Sequence, residues 1–127
     1  MKRLILSLIA SLWLSSACCQ LNYENTDIEG FAALTADTTV VILDVRTAEE
    51  YKEGHIANAL NIDVKQKNFV KMARKRLPKN KTVAVYCRSG RRSANAAEKL
   101  ASKGYKVVNL YGGIIAWQET GKPVSKD

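Results

Sequence analysis

The sequence predicts an α/β protein, with a mainly parallel sheet covered by helices on both faces. Three observations carry this expectation. Apolar, β-branched runs at residues 40–45, 82–86 and 106–110 are short and nearly unbroken, as strands buried on both faces require. Helical stretches at 47–54, 66–77 and 93–103 separate and follow them. Strand and helix therefore alternate, the order that joins parallel strands by helical crossovers. A chain of 127 residues, 46% hydrophobic and 25% charged, has room for one such domain.

The first residues stand apart from that pattern. Met1-Lys2-Arg3 is a basic start, and residues 4–14 form an apolar segment broken only by Ser7 and Ser11. Eleven residues are too few to span a bilayer, which takes about 20. Ser15-Ser16-Ala17 then supplies small residues of the kind found at a cleavage site. Residues 1–17 are expected to be a secretory signal peptide and take no part in the fold. Residues 18–24 are expected to be a short tether before a domain at 25–127.

Along that domain, Thr26-Asp27-Ile28-Glu29 reads as a capping box, with Ile28, Phe31 and Leu34 on one face of a short helix. The strand at 40–45 runs into Asp44-Val45-Arg46, and Thr47 with Glu50 makes a second capping box for a helix ending near Gly54. Residues 55–58 are a turn and 59–62 a short strand. The helix at 66–77 stops before Pro78. Ser93 is the expected N-cap of the helix at 93–103 and Gly104 its stop. Gly112-Gly113 breaks the chain before a last helix at 114–120, closed by Gly121 and Pro123.

The chemistry concentrates between the strand at 82–86 and the helix that follows. Cys87 stands at the carboxyl end of that strand, where ligands of parallel sheets bind. Arg88-Ser89-Gly90-Arg91-Arg92 links it to the helix. Loop amides, the positive end of the helix dipole and three arginines all favour an anion there, so the Cys87 thiol is expected to be ionised and nucleophilic.

Without residues 1–17 the chain keeps eighteen basic against twelve acidic side chains, a net charge of +6 instead of +8. Lys65, Lys67, Lys71, Arg74, Lys75, Arg76, Lys79 and Lys81 fall in one segment with no acid after Asp63. Two readings stand: a solvated helix face, or attraction to anionic lipid headgroups or an acidic partner. Nucleic acid is not expected, since no aromatic platform accompanies the charge. Cysteines at 18, 19 and 87 give no disulfide framework, and one histidine gives no metal-ligand set, so neither metal nor cofactor is expected.

Two resemblances follow from these motifs. Small residues before Cys18 resemble a bacterial lipoprotein signal, with Leu14 one position further back than that pattern has it. This implies that Cys18 is lipidated and that the protein sits on the periplasmic face of a membrane; the other reading is plain cleavage and release into the periplasm. The domain itself resembles a single-domain rhodanese. Three blocks carry this: Asp44-Val45-Arg46 with Glu50-Tyr51 and Gly54-His55-Ile56-x-x-Ala59-x-Asn61; Cys87 to Arg92; and Leu110-Tyr111-Gly112-Gly113-Ile114-x-x-Trp117 with Gly121-x-Pro123.

The rhodanese resemblance implies a rhodanese-like fold and a sulfurtransferase. Cys87 would take sulfur from a donor such as thiosulfate or a persulfide and pass it to a thiol or protein acceptor. Cys87 would be catalytic, with Arg88, Ser89, Gly90, Arg91, Arg92 and Ser93 as the substrate-binding loop. Within that loop Arg88 and Arg91 would meet an anionic donor and Arg92 would shape the loop. Asp44 and Arg46 would be structural support. The Cys-x4-Arg spacing is that of rhodaneses, whereas related phosphatases have a loop one residue longer. His55 is expected to be a satisfied turn histidine, Tyr86 core, and Trp117 and Tyr111 core and rim packing. A monomer is expected. The alternative from another class is a non-catalytic carrier or interaction domain of the same fold.

Overall fold

The computed structural model describes residues 22–127. The expected signal segment 1–17, Cys18 with its expected lipid, Cys19 and the first part of the expected tether lie outside the described residues. Ten elements follow in order: β1 (Glu24–Thr26), α1 (Ile28–Thr35), β2 (Val40–Asp44), α2 (Ala48–Glu53), β3 (Leu60–Asn61), α3 (Phe69–Arg76), β4 (Thr82–Tyr86), α4 (Arg91–Ala101), β5 (Val107–Leu110) and α5 (Gly113–Glu119). The strands form one sheet in the order β1-β5-β4-β2-β3, and every pairing is parallel.

Alternation along the strands divides the interior into two cores, because successive side chains point to opposite faces. On one face Leu43, Val83, Val85 and Val107 meet Phe69, Ala73 and Leu77 of the α3 segment and Ala96, Ala97 and Leu100 of α4. On the other, Ile42, Ala84, Tyr86 and Leu110 meet Phe31 of α1 and Ile114 and Trp117 of α5. Phe31 packs edge-on to both Tyr86 and Trp117, each at 6.1 Å between ring centres. β4 lies at the centre, buried on both sides, so the residue after it is held from every direction.

Several boundaries differ from the sequence reading by a residue or two, and three differ for a clear local reason. Glu24, assigned to the tether, lies in β1, an edge strand too short and polar to show any periodicity. It forms by pairing along β5, and Thr26 accepts from the Tyr111 amide at 2.9 Å. α1 is capped by Asp27, whose side chain accepts from the Gly30 amide at 2.9 Å. Thr26 is not the cap because it is still strand. α3 starts at Phe69, three residues later than expected, because two successive turns precede it, the Gln66 amide donating to the Asp63 carbonyl at 3.2 Å and the Phe69 amide to the Gln66 carbonyl at 3.0 Å.

The Thr47–Glu50 capping box at the start of α2 is formed on both sides. At the end of the chain, Ser125 pairs with His55 through two backbone hydrogen bonds of 2.8 and 2.7 Å, and the Trp117 indole donates to Pro123. Among the described residues no helix is long and apolar enough to cross a membrane.

Candidate active site

Cys87 follows β4 directly and shares its face with Val83 and Val85, so the sulfur points toward the α4 side. It is a free thiol, 1% exposed. The turn from strand to helix needs a left-handed residue, and Gly90 supplies it at φ +106°. That conformation brings the Gly90 amide to 3.1 Å from Cys87 Sγ and makes Gly90 the N-cap of α4. Ser93 is therefore not the cap. It lies in the first turn of α4, fully buried, with its hydroxyl 3.2 Å from the Gly90 carbonyl.

The closing glycine pair holds this loop from outside. Ile114 donates its amide to the Cys87 carbonyl at 2.9 Å and Ile115 to the Arg88 carbonyl at 3.1 Å. With those carbonyls engaged by α5, the amides of the loop remain for the sulfur. The approach is close enough that a Cβ on Gly113 would collide with the Arg88 carbonyl, and Gly113 has φ +66°. Burial pushes the Cys87 thiol up, but the Ser93 hydroxyl and the amides of Ser93, Gly90 and Ser89 outweigh it, and the thiol lies below its ordinary value.

The three loop arginines divide. Arg88 and Arg91 are exposed, and neither is ion-paired with a carboxylate among the described residues. Arg92 is half-buried and makes two parallel bonds to Glu50, at 2.8 and 2.9 Å, tying α4 to α2 across the top of the sheet. The guanidinium beside Glu50, helped by the Thr47 amide, holds that carboxyl at about 2 despite partial burial. A cavity of about 330 Å³ opens beside the loop between α2 and α5, lined among others by Arg46, Glu53, Arg88 and Gln118.

The six-residue cysteine loop stands at the carboxyl end of β4, where the sequence places it, and the glycine pair that the sequence marks only as a chain break braces it. Comparison with known proteins agrees: the rhodanese-like domain family matches residues 27–120. The chain belongs to that family. It is 39% identical over 100 residues to a protein named sulfurtransferase from Allochromatium vinosum, covering 77% of this chain and 91% of that one. It is 40% identical over 72 residues to the thiosulfate sulfurtransferase PspE of Escherichia coli, covering 57% of this chain and 68% of that one. Among solved structures, a rhodanese-related protein from Thermoplasma volcanium has a TM-score of 0.73 at 33% identity, covering 83% of this chain and all of that one.

In this rhodanese-like domain the floor beside the loop is polar and buried. Asp44 is inaccessible and receives Arg46 Nη2 at 2.7 Å and the Tyr86 hydroxyl at 2.7 Å. Arg46 also donates to the Gly54 carbonyl, and the Tyr86 hydroxyl accepts from the Ile56 amide at 3.0 Å. One buried charge pair thus ties the ends of β2 and β4 to the 54–56 turn. Arg46 is 5% exposed, with Nε and Nη2 engaged by Asp44 and the Gly54 carbonyl, and it also lines the cavity beside the loop. His55 is buried, stacked on Tyr51 at 3.7 Å, with Nδ1 at 2.8 Å from the Tyr51 carbonyl.

Tyr86 and Trp117 are core, as expected, and the Tyr86 hydroxyl in addition joins Asp44 to Ile56. Tyr111 lies at the rim, 74% exposed, because β5 ends at Leu110. Glu50 as the partner of Arg92 was hidden because 42 residues separate them, and its capping-box role explained it locally.

Proposed function

We propose that the protein is a sulfurtransferase that carries sulfane sulfur on Cys87. The observation that carries this is the sulfur itself: a buried thiol 3.1 Å from the Gly90 amide and held below its ordinary value by three amides and one hydroxyl, with two arginines at the rim of its loop that pair with no carboxylate among the described residues. The names of the relatives, sulfurtransferase and thiosulfate sulfurtransferase, support the same class.

In the first step the Cys87 thiolate attacks the outer sulfur of a donor such as thiosulfate. A new S–S bond forms on Cys87, the S–S bond of thiosulfate breaks, and sulfite leaves with the electron pair. The product is a persulfide anion, so negative charge stays in the loop throughout. The amides of Ser89, Gly90 and Ser93 need no reorganisation to hold it. Arg88 and Arg91 draw the dianionic donor to the loop, while Arg92, engaged by Glu50, keeps the loop in shape. In the second step cyanide or a thiolate attacks the outer sulfur and Cys87 leaves as thiolate. No general base is required, which fits His55 facing Tyr51 instead of the loop.

Cyanide-dependent formation of thiocyanate from thiosulfate tests this reading. Wild type should form it and Cys87→Ser should not, with the fold intact by circular dichroism; equal rates in both would remove Cys87 from the reaction. We further propose that Cys18 is lipidated and anchors the domain on the periplasmic face of a membrane. Cys18→Ala should move the protein from the membrane to the soluble fraction, and identical fractionation of the two would exclude the anchor.

A further inference from the structure

Because all strands run the same way, the two ends of the sheet differ in character. Cys87 and its arginines occupy the carboxyl end. The opposite end collects lysines from three directions. Lys81 leads into β4, and Lys106 leads into β5, where its carbonyl accepts from Val83 at 2.9 Å. α3 and α4 run back along the sheet, so their last turns bring Arg74, Lys75 and Lys99 to this end, with Lys103 just beyond. Lys79 Nζ stands 5.0 Å from the centre of the Tyr105 ring, whose hydroxyl donates to the Leu77 carbonyl at the end of α3.

All of these cations are exposed except Lys81, which is half-buried, and none is ion-paired among the described residues. Against them stand Glu24 at the start of β1, Glu98 near the end of α4, Asp37 after α1, which is engaged by Thr39, and Glu119 at the end of α5 on the other face of the sheet. The helix dipoles account for cations in the last turns of α3 and α4. They do not account for Lys79, Lys81 and Lys106, which lie between elements.

The chain also comes in at this end. Asn22, Tyr23 and Glu24 line a shallow cavity with Lys106 and Val107, and Tyr23 packs on the α3/α4 core. Residue 18 is four residues before Asn22, a reach of at most about 14 Å. That is comparable to the roughly 8 Å over which charge acts at physiological salt.

We propose that this basic end is a docking surface for an anionic lipid bilayer, meeting its phosphate headgroups with Asn22 turned toward the membrane and Cys87 turned away. Charge complementarity alone fits any anionic partner; the place where the chain comes in, taken with the anchor proposed at Cys18, selects a bilayer over a soluble one. The choice of a bilayer thus rests on that proposal, while its test uses residues 22–127 and does not need the lipid.

Residues 22–127 contain the whole sheet and both cores, and the Thermoplasma volcanium relative folds at that extent, so the domain alone is the reagent. It should sediment with vesicles of phosphatidylcholine plus phosphatidylglycerol, not with phosphatidylcholine alone, and added salt should release it. A lysine near such a surface strengthens binding roughly fivefold. The variant with Lys79→Gln, Lys81→Gln, Lys103→Gln and Lys106→Gln should therefore bind at least roughly tenfold more weakly. It should still unfold cooperatively, with at most the small loss expected from the Lys79–Tyr105 contact, and thiocyanate formation should not change. Lys65→Gln with Lys67→Gln, at the other end of the α3 segment, should bind as the parent does.

Alkylation of Cys87 should proceed equally on and off vesicles. Absence of binding to anionic vesicles at low salt, or parental binding by the four-lysine variant, would overturn the proposal. So would vesicle-induced protection of Cys87. Binding to polyglutamate but not to vesicles would assign the surface to an acidic protein and overturn it as well.

Discussion

Ser93→Ala isolates the group that most favours the Cys87 thiolate. The Ser93 hydroxyl has one proton and two acceptors, the Gly90 carbonyl at 3.2 Å and the Cys87 sulfur. Ionisation of the thiol draws that proton to sulfur. A hydrogen bond to a charged group is worth about 1.5–3 kcal/mol, and about 1.4 kcal/mol is tenfold in an acid constant. Removing the hydroxyl should thus weaken the Cys87 acid at least roughly tenfold, while the amides of Ser93, Gly90 and Ser89 still favour the anion.

Residues 22–127 contain a single cysteine, so the rate of iodoacetamide alkylation against pH reads this group alone. Below the parental midpoint the variant should react about tenfold more slowly, because only the thiolate reacts. Above both midpoints the two rates should converge. The linkage has the sign of a depressed acid: the parent gains stability as pH rises from the folded value of Cys87 toward the unfolded value, about 8.5, and loses it as pH falls back. The variant should show a narrower window. Superimposable profiles would refute the role of Ser93. A rate lowered equally at every pH would mean blocked access and refute the electrostatic reasoning.

Two further substitutions probe how the loop is held. Gly113→Ala puts a Cβ against the Arg88 carbonyl at φ +66°, so the loop must shift; we expect alkylation of Cys87 to lose its low-pH component and stability to fall by at least about 1–2 kcal/mol in urea, the cost of that backbone alone. Parental behaviour would mean α5 does not brace the loop. Tyr86→Phe leaves the Ile56 amide unpaired and takes one donor from buried Asp44, a loss of about 3 kcal/mol in urea unfolding with a little-changed slope; a loss under about 1 kcal/mol would show that the network is dispensable.

Much of this was legible before the fold was seen. The strands β2, β4 and β5 announce themselves because a sheet covered on both faces needs continuous apolar runs. Cys87 stands out because three arginines and a glycine follow it and favour an anion, although its side chain proves to be buried against the α4 side of the core. What stayed hidden depends on contacts distant in sequence. β1 carries no pattern of its own and exists through β5. Ser93 reads as a cap by its chemistry, yet Gly90 takes that place, since the turn over sulfur needs a left-handed residue and leaves Ser93 to face inward. The pairs Glu50–Arg92 and Tyr86–Asp44 each span 42 residues, beyond any local rule.

The central claim is that Cys87 carries sulfur, and intact mass measures it most directly. Residues 22–127 incubated with thiosulfate should gain the mass of one sulfur atom, lose it on adding cyanide, and show neither change as Cys87→Ser. No gain from thiosulfate or from a persulfide donor, or an equal gain in Cys87→Ser, would contradict the account.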